Sequence, residues 1–209
     1  MAEQEGRKPF VVGLTGSIGM GKTETARLFA RLGIPVHDAD AVVHALYDRN
    51  GAAVAPIAAI FPQAVKDGRV DRTALAARLA GDEAAFQRLE AIVHPLVRQA
   101  ERAFLDAAAA RGNDLVVLDI PLLFETGSES RVDAVVVVSA PPDVQMARVL
   151  AREGMTPEKL EAIHARQIPD VDKRKRADFV IETDKGLAHA FEAVKRVVAQ
   201  LRLRAAKKN

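Results

Sequence analysis

An α/β fold is predicted, with a parallel sheet of about five strands and helices on both sheet faces. Three observations predict it. Short, continuous apolar runs rich in β-branched residues recur along the chain and have the character of strands buried on both faces. Most of these runs are separated by stretches with helical spacing, the alternation that covers a parallel sheet on both sides. The first run also leads through a glycine-rich loop directly into a helix.

The predicted strands are Phe10–Leu14, Pro35–His37, Leu115–Leu118, Val135–Val138 and Phe179–Ile181. After the first comes Gly16-Ser17-Ile18-Gly19-Met20-Gly21-Lys22-Thr23, which fits G-x-x-x-x-G-K-[ST]. Leu28, Phe29 and Leu32 then follow at helical spacing. Strand, glycine loop and helix are the context in which this pattern binds phosphate. The loop curls its N–H groups into one concavity, and the helix N-terminus adds the positive end of its dipole. Ser17, Ile18, Gly19, Met20, Gly21, Lys22, Thr23 and Glu24 are therefore the nucleotide-binding candidates. Lys22 is expected to reach the β- and γ-phosphates, and the Thr23 hydroxyl to ligate Mg²⁺.

Ligands in such sheets bind at the carboxyl ends of strands. Asp38-Ala39-Asp40 directly follows the second strand, so one of these carboxylates is placed to take a proton from a substrate hydroxyl. The alternative is a capping role for the helix predicted over Ala41–Tyr47. Residues 48–110 then lose the strand pattern and form a helical insertion. Asp82 caps a helix striped by Phe86, Leu89 and Val93. Pro95 is expected to end that helix and begin another running toward Ala110, which holds His94 extended before the proline. Asp119 ends the third core strand, either as a Mg²⁺ contact or as a strand-end cap, and Glu125 is a weaker candidate for the same crevice.

Pro141-Pro142 opens a helix with Gln145, Arg148 and Arg152 on one face, and Gly154 ends it. Thr156 caps the next, with Pro157 as its first residue. Residues 141–176 thus form a helical lid suited to closing over phosphates. The run Lys173 to Arg176 is expected to be a solvated face, with anion binding as the alternative. The basic tail Arg202, Arg204, Lys207 and Lys208 is expected to fray.

A chain of 209 residues buries a full core and suggests one domain with an insertion. Its net charge of +2 gives no global argument for a nucleic-acid partner. No apolar run approaches a membrane span, and the start, Met1 to Lys8, is polar, so no membrane partner is expected. The lack of cysteine excludes thiolate catalysis and Cys-ligated zinc. A cytoplasmic location is expected.

Taken together the chain resembles the dephospho-CoA kinase family over nearly its whole length. The residues that carry the resemblance are Val12 to Thr23, Asp38-Ala39-Asp40 with Val43-His44, and Gly68 to Arg72. They continue with Leu89 to Pro95, Pro121 to Glu125, Gln145, Arg148, Arg152, Gln167 and Lys175 to Ile181. It departs from the family pattern at Asn50-Gly51, Phe61-Pro62 and Thr183-Asp184. The resemblance implies a P-loop kinase fold with a helical substrate-binding insertion and a helical lid. It implies ATP-dependent phosphorylation of the ribose 3′-hydroxyl of dephospho-CoA, with ATP and Mg²⁺ required. On that footing Asp40 is the general base, and Lys22 and Arg148 neutralise the γ-phosphoryl. Arg152 supports the nucleotide, backbone from Thr183 to Gly186 borders the adenine, and Arg72 and His94 bind the acceptor. Thr23 holds Mg²⁺, with Asp40 or Asp119 available through water.

Two other readings share the loop. A kinase acting on a nucleoside or nucleotide would need a different acceptor module in residues 47 to 110. A regulatory nucleotide switch would carry a guanine-specifying N-K-x-D segment, which this chain lacks.

Overall fold

The computed structural model describes residues 8–208; the polar start before Lys8 lies outside them. The chain divides into two compact units, one formed by residues up to His37 and from Leu105 onward, the other by Asp38–Phe104.

The first unit is built on five strands, β1 (Phe10–Thr15), β2 (Val36–Asp38), β5 (Leu115–Asp119), β6 (Ala134–Ser139) and β7 (Phe179–Glu182). Their order across the sheet is β2-β5-β1-β6-β7. β1 pairs in parallel with β5 and β6, and β6 with β7. All five predicted strands are present. Alternate residues of β6 divide between two cores, Val136 and Val138 with Leu14, Phe29 and Leu201, Val135 and Val137 with Leu123 and Phe124. That division explains why the strand is a continuous run of valine: both faces are dry.

Helix α1 (Lys22–Arg31) follows β1 and buries Leu28 and Phe29. After β6 come α6 (Pro142–Leu150), α7 (Pro157–His164) and α8 (Asp170–Arg176). As expected, proline opens α6, and the Thr156 hydroxyl accepts from Lys159 N–H to cap α7. The last helix, α9 (Leu187–Lys208), packs Val194, Val197, Val198 and Leu201 onto the sheet. Its basic end does not fray. Arg202 pairs with Asp114 at 2.7 Å, Arg204 with Asp178 at 2.6 Å, and Lys208 with Asp133, so charge partners from three strand approaches hold the terminal turns.

The second unit holds α2 (Ala39–Tyr47), α3 (Val54–Ile60), a hairpin of β3 (Val65–Lys66) and β4 (Arg69–Val70), and α4 (Arg72–Leu79). Ile57, Phe61, Leu75, Leu89 and Val93 centre its core. The long α5 (Glu83–Ala110) corrects two expectations. It runs unbroken through Pro95, so His94 is helical rather than extended. An internal proline loses one hydrogen bond and costs about 3 kcal/mol. Leu89 and Val93 before it, and Leu96 and Val97 after it, meet the same apolar core and offset that cost. The buried stripe uses Ala85, Leu89 and Val93, whereas Phe86 is exposed.

Candidate active site

The site in the first unit begins with the loop between β1 and α1. Gly16 lies against β6: a Cβ there would sit 2.4 Å from Val138 Cγ2 and 2.8 Å from the Val138 carbonyl, and strand backbone cannot give way. Gly21 precedes α1 with φ 88°, a left-handed conformation open to glycine. Met20 N–H turns back to Ser17 O at 3.2 Å. The first N–H groups of α1 have no carbonyl of their own helix to reach, so they remain donors for an anion.

Because β5 runs beside β1 with Asp119 level with Leu14, the buried Asp119 carboxylate stands beside the loop. Lys22 Nζ pairs with its Oδ1. Thr23 and Glu24 are exposed on the first turn of α1.

Helix α6 and the segment between α7 and α8 reach the loop through side chains. Gln145 on α6 donates through Nε2 to Ile18 O at 2.7 Å, and Gln167 Oε1 accepts from Ile18 N–H at 3.2 Å. Arg148 donates to Thr183 Oγ1 at 2.9 Å and Thr183 O at 2.7 Å, with a longer contact to Gly19 O at 3.4 Å. Thr183, just after β7, in turn donates to Met20 O at 2.8 Å. Arg148 is thus brought to the loop after β7, where the nucleotide's base was expected. α6 ends at Leu150, so Arg152, expected on the same helix face, lies two residues beyond the helix and is exposed. A cleft of about 550 Å³ opens beside the loop, lined by Ser17, Met20, Gln145, His164, Gln167 and Arg174 among others.

The basic run on α8 is a solvated face at Arg174, Lys175 and Arg176, which are exposed, but not at Lys173. Lys173 is fully buried, its Nζ 2.8 Å from Glu125 Oε1. Burial pushes the Glu125 carboxyl up, but Lys173 and a 2.9 Å bond from Ile168 N–H outweigh it and hold the group below the ordinary carboxylate range. Arg174 donates to Ser139 Oγ at 2.9 Å, and Ser139 donates to Asp170 at 2.6 Å. The Arg176 guanidinium lies 4.2 Å from the centroid of Phe124. Lys175 pairs on the surface with Asp172 one turn away. Sequence pattern shows no sign of the buried lysine, because its partner lies far away along the chain.

In the second unit the two aspartates after β2 separate in role. Asp38 Oδ1 accepts from Ala41 N–H at 2.9 Å and caps α2. Asp40 is exposed in the first turn. His44 shares its helix face at i+4. Arg72 NH1 lies 3.0 Å from His44 Nε2 and stacks over Tyr47 at 5.6 Å. Burial raises the Tyr47 hydroxyl's pKa, and the Arg72 charge partly opposes this. Arg72 begins α4 because Asp71 caps that helix, accepting from Thr73 and Ala74 N–H. His94 is exposed and 3.6 Å from Glu90. His44 and Tyr47 were missed as neighbours of Arg72. The Asp67-Gly68 turn that folds β3 onto β4, with φ 52° and 74°, was the available signal.

A G-x-x-x-x-G-K-T loop at the carboxyl edge of a five-stranded parallel sheet, with the arginine-bearing helix α6 after β6, defines a P-loop kinase fold. A family model described as dephospho-CoA kinase matches residues 10–189. The dephospho-CoA kinase of Paramagnetospirillum magneticum is 60% identical over 192 residues, covering 92% of this chain and 91% of that one. The enzyme of that name from Rhodopseudomonas palustris strain CGA009 is 58% identical over 177 residues, 85% and 88% of the two chains. The crystal structure of TT1252 from Thermus thermophilus superposes with a TM-score of 0.80 at 38% identity, covering 93% and 99%. The chain belongs to the dephospho-CoA kinase family.

Proposed function

We propose that the protein transfers the γ-phosphoryl group of ATP to the ribose 3′-hydroxyl of dephospho-CoA, giving coenzyme A and ADP, the last step of coenzyme A synthesis. The observation that carries this reading is the family match across residues 10–189, a span that includes Lys22, Asp40, Arg72, His94 and Arg148 alike. A coupled ADP-release assay offered dephospho-CoA, AMP and adenosine tests it. Turnover with dephospho-CoA alone is expected; turnover with another acceptor and none with dephospho-CoA would overturn it.

Phosphoryl transfer needs positioning and charge neutralisation more than covalent chemistry. The loop amides and Lys22 hold the donor phosphates. Asp40 accepts the proton of the acceptor hydroxyl as its oxygen attacks phosphorus and the bond to the ADP oxygen breaks. Asp38 engages its Oδ1 in capping α2, which favours Asp40 as the base. Arg72, with His44 behind it, and His94 bind the acceptor.

Mg²⁺ in kinases is held by one or two carboxylates, a hydroxyl and the nucleotide's own phosphates. The exposed Thr23 hydroxyl and the carboxylate of Asp119 fit that demand, and a dedicated cluster of three acidic or histidine ligands is absent among the described residues. Bound Mg²⁺ supplies neutralisation of phosphate charge. No described helix is long and apolar enough to cross a membrane, and with no cysteine in the chain we place the enzyme in the cytoplasm.

The position of Arg148 sharpens its test. Acting on the γ-phosphoryl requires the guanidinium to leave Thr183. Arg148→Ala is then expected to lower kcat about 100-fold with only a severalfold loss in ADP affinity, read by single-turnover kinetics and ADP titration. Equal losses in both would make Arg148 a ground-state contact to the nucleotide.

A further inference from the structure

We infer that Gln145 and Gln167 are positioning residues that clasp the outer arm of the phosphate loop through the two polar groups of Ile18. This inference rests on the kinase reading above. One glutamine donates to the Ile18 carbonyl and the other accepts from its N–H, so both backbone groups of this residue are held by side chains. Backbone N–H only donates and C=O only accepts, which settles the orientation of each side-chain amide.

The clasp selects which amides face the nucleotide. Ile18 N–H is turned to Gln167 and Met20 N–H to Ser17 O, leaving anion binding to the amides nearer α1. Gln145 is itself buried on α6, three residues before Arg148. Gln167 is fixed from behind: the next residue, Ile168, donates to Glu125, which faces buried Lys173. A continuous set of contacts therefore runs from α8 through Glu125 and Gln167 to the loop. Both glutamines also line the cleft beside it. Helix α6 and the connection between α7 and α8 thereby set the loop's shape on the donor side of the reaction.

Gln145→Met and Gln167→Met keep side-chain length and remove the amide. Each is expected to raise KM for ATP about 5- to 10-fold, the size of one lost hydrogen bond, while KM for dephospho-CoA stays within about twofold. A purely structural role would instead lower the active fraction with both KM values unchanged. Gln167→Glu keeps an acceptor for Ile18 N–H. Assayed in about 0.3 M salt to screen the added charge, it should return KM for ATP to within about threefold of the parent. Amide exchange separates the two arms without any turnover: Ile18 N–H should lose protection in Gln167→Met and keep it in Gln145→Met. Unchanged KM for ATP in both Met variants, or equal Ile18 exchange in Gln167→Met and the parent protein, would overturn the clasp. Absence of dephospho-CoA turnover in the parent protein would instead strike the kinase reading and leave the exchange result standing.

Discussion

Asp40→Asn lowers turnover with dephospho-CoA by about 10²- to 10⁴-fold, the usual worth of a general base, while ATP affinity stays within about twofold. The substitution keeps the side chain's size and its place in the first turn of α2 but removes the carboxylate proposed to take the proton. The neighbouring Asp38 provides the control. Its carboxylate caps α2 through Ala41 N–H, so Asp38→Asn, which can still cap, should leave turnover nearly intact. Rates for Asp40→Asn within a few-fold of the parent would remove Asp40 from catalysis. A loss of ATP affinity equal to the loss of rate would mark it as a nucleotide or metal contact.

Lys173→Met destabilises the fold by about 3–5 kcal/mol, because it leaves the Glu125 carboxylate in a low-dielectric position without its charge partner. For a chain of this size that corresponds to roughly 10 °C in Tm. Combining it with Glu125→Gln should recover at least half of the loss, since the amide oxygen can still accept from Ile168 N–H and no charge remains to be stranded. The pair also gives the protein an acid-labile element. Glu125 titrates below its ordinary value of 4.5 in the fold. Its contribution is therefore present above about that pH and is lost as pH falls through the lower folded value. Glu125→Gln should flatten the stability profile in that window. A Tm for Lys173→Met within about 2 °C of the parent would show that Lys173 carries no stabilising charge contact.

What the sequence revealed followed from the strength of its local signals. The five sheet strands were legible because burial on both faces leaves an unmixed apolar run, as in Val135 to Val138. The phosphate loop was legible because its glycines answer local demands, a close strand at Gly16 and a left-handed turn at Gly21. The caps at Asp82, Asp71 and Thr156 show how far local chemistry goes: Asp82 and Thr156 were readable from neighbouring residues, and Asp71 follows the same rule.

The failures share a cause in long-range contacts. Pro95 is tolerated inside α5 because tertiary packing on either side outweighs a local penalty. Lys173 has the composition of a solvated run until Glu125 comes to meet it. The tail stays helical because Asp114, Asp133 and Asp178 supply its counter-charges. The β3–β4 hairpin has strands of two residues each, too short for any period to be seen. In the candidate site, the loop and its lysine could be read directly. The engagement of Arg148 with Thr183 and the grip of two glutamines on Ile18 required the fold to bring distant segments together.

The position of the phosphate on the product decides whether this chain phosphorylates the 3′-hydroxyl of dephospho-CoA. The enzyme is incubated with ATP, Mg²⁺ and dephospho-CoA, and the product is examined by phosphorus NMR for coupling to the ribose protons. One new phosphomonoester coupled to the proton at the 3′ carbon is expected, formed in step with ADP. A phosphate at any other hydroxyl, or release of inorganic phosphate with dephospho-CoA unchanged, would contradict it.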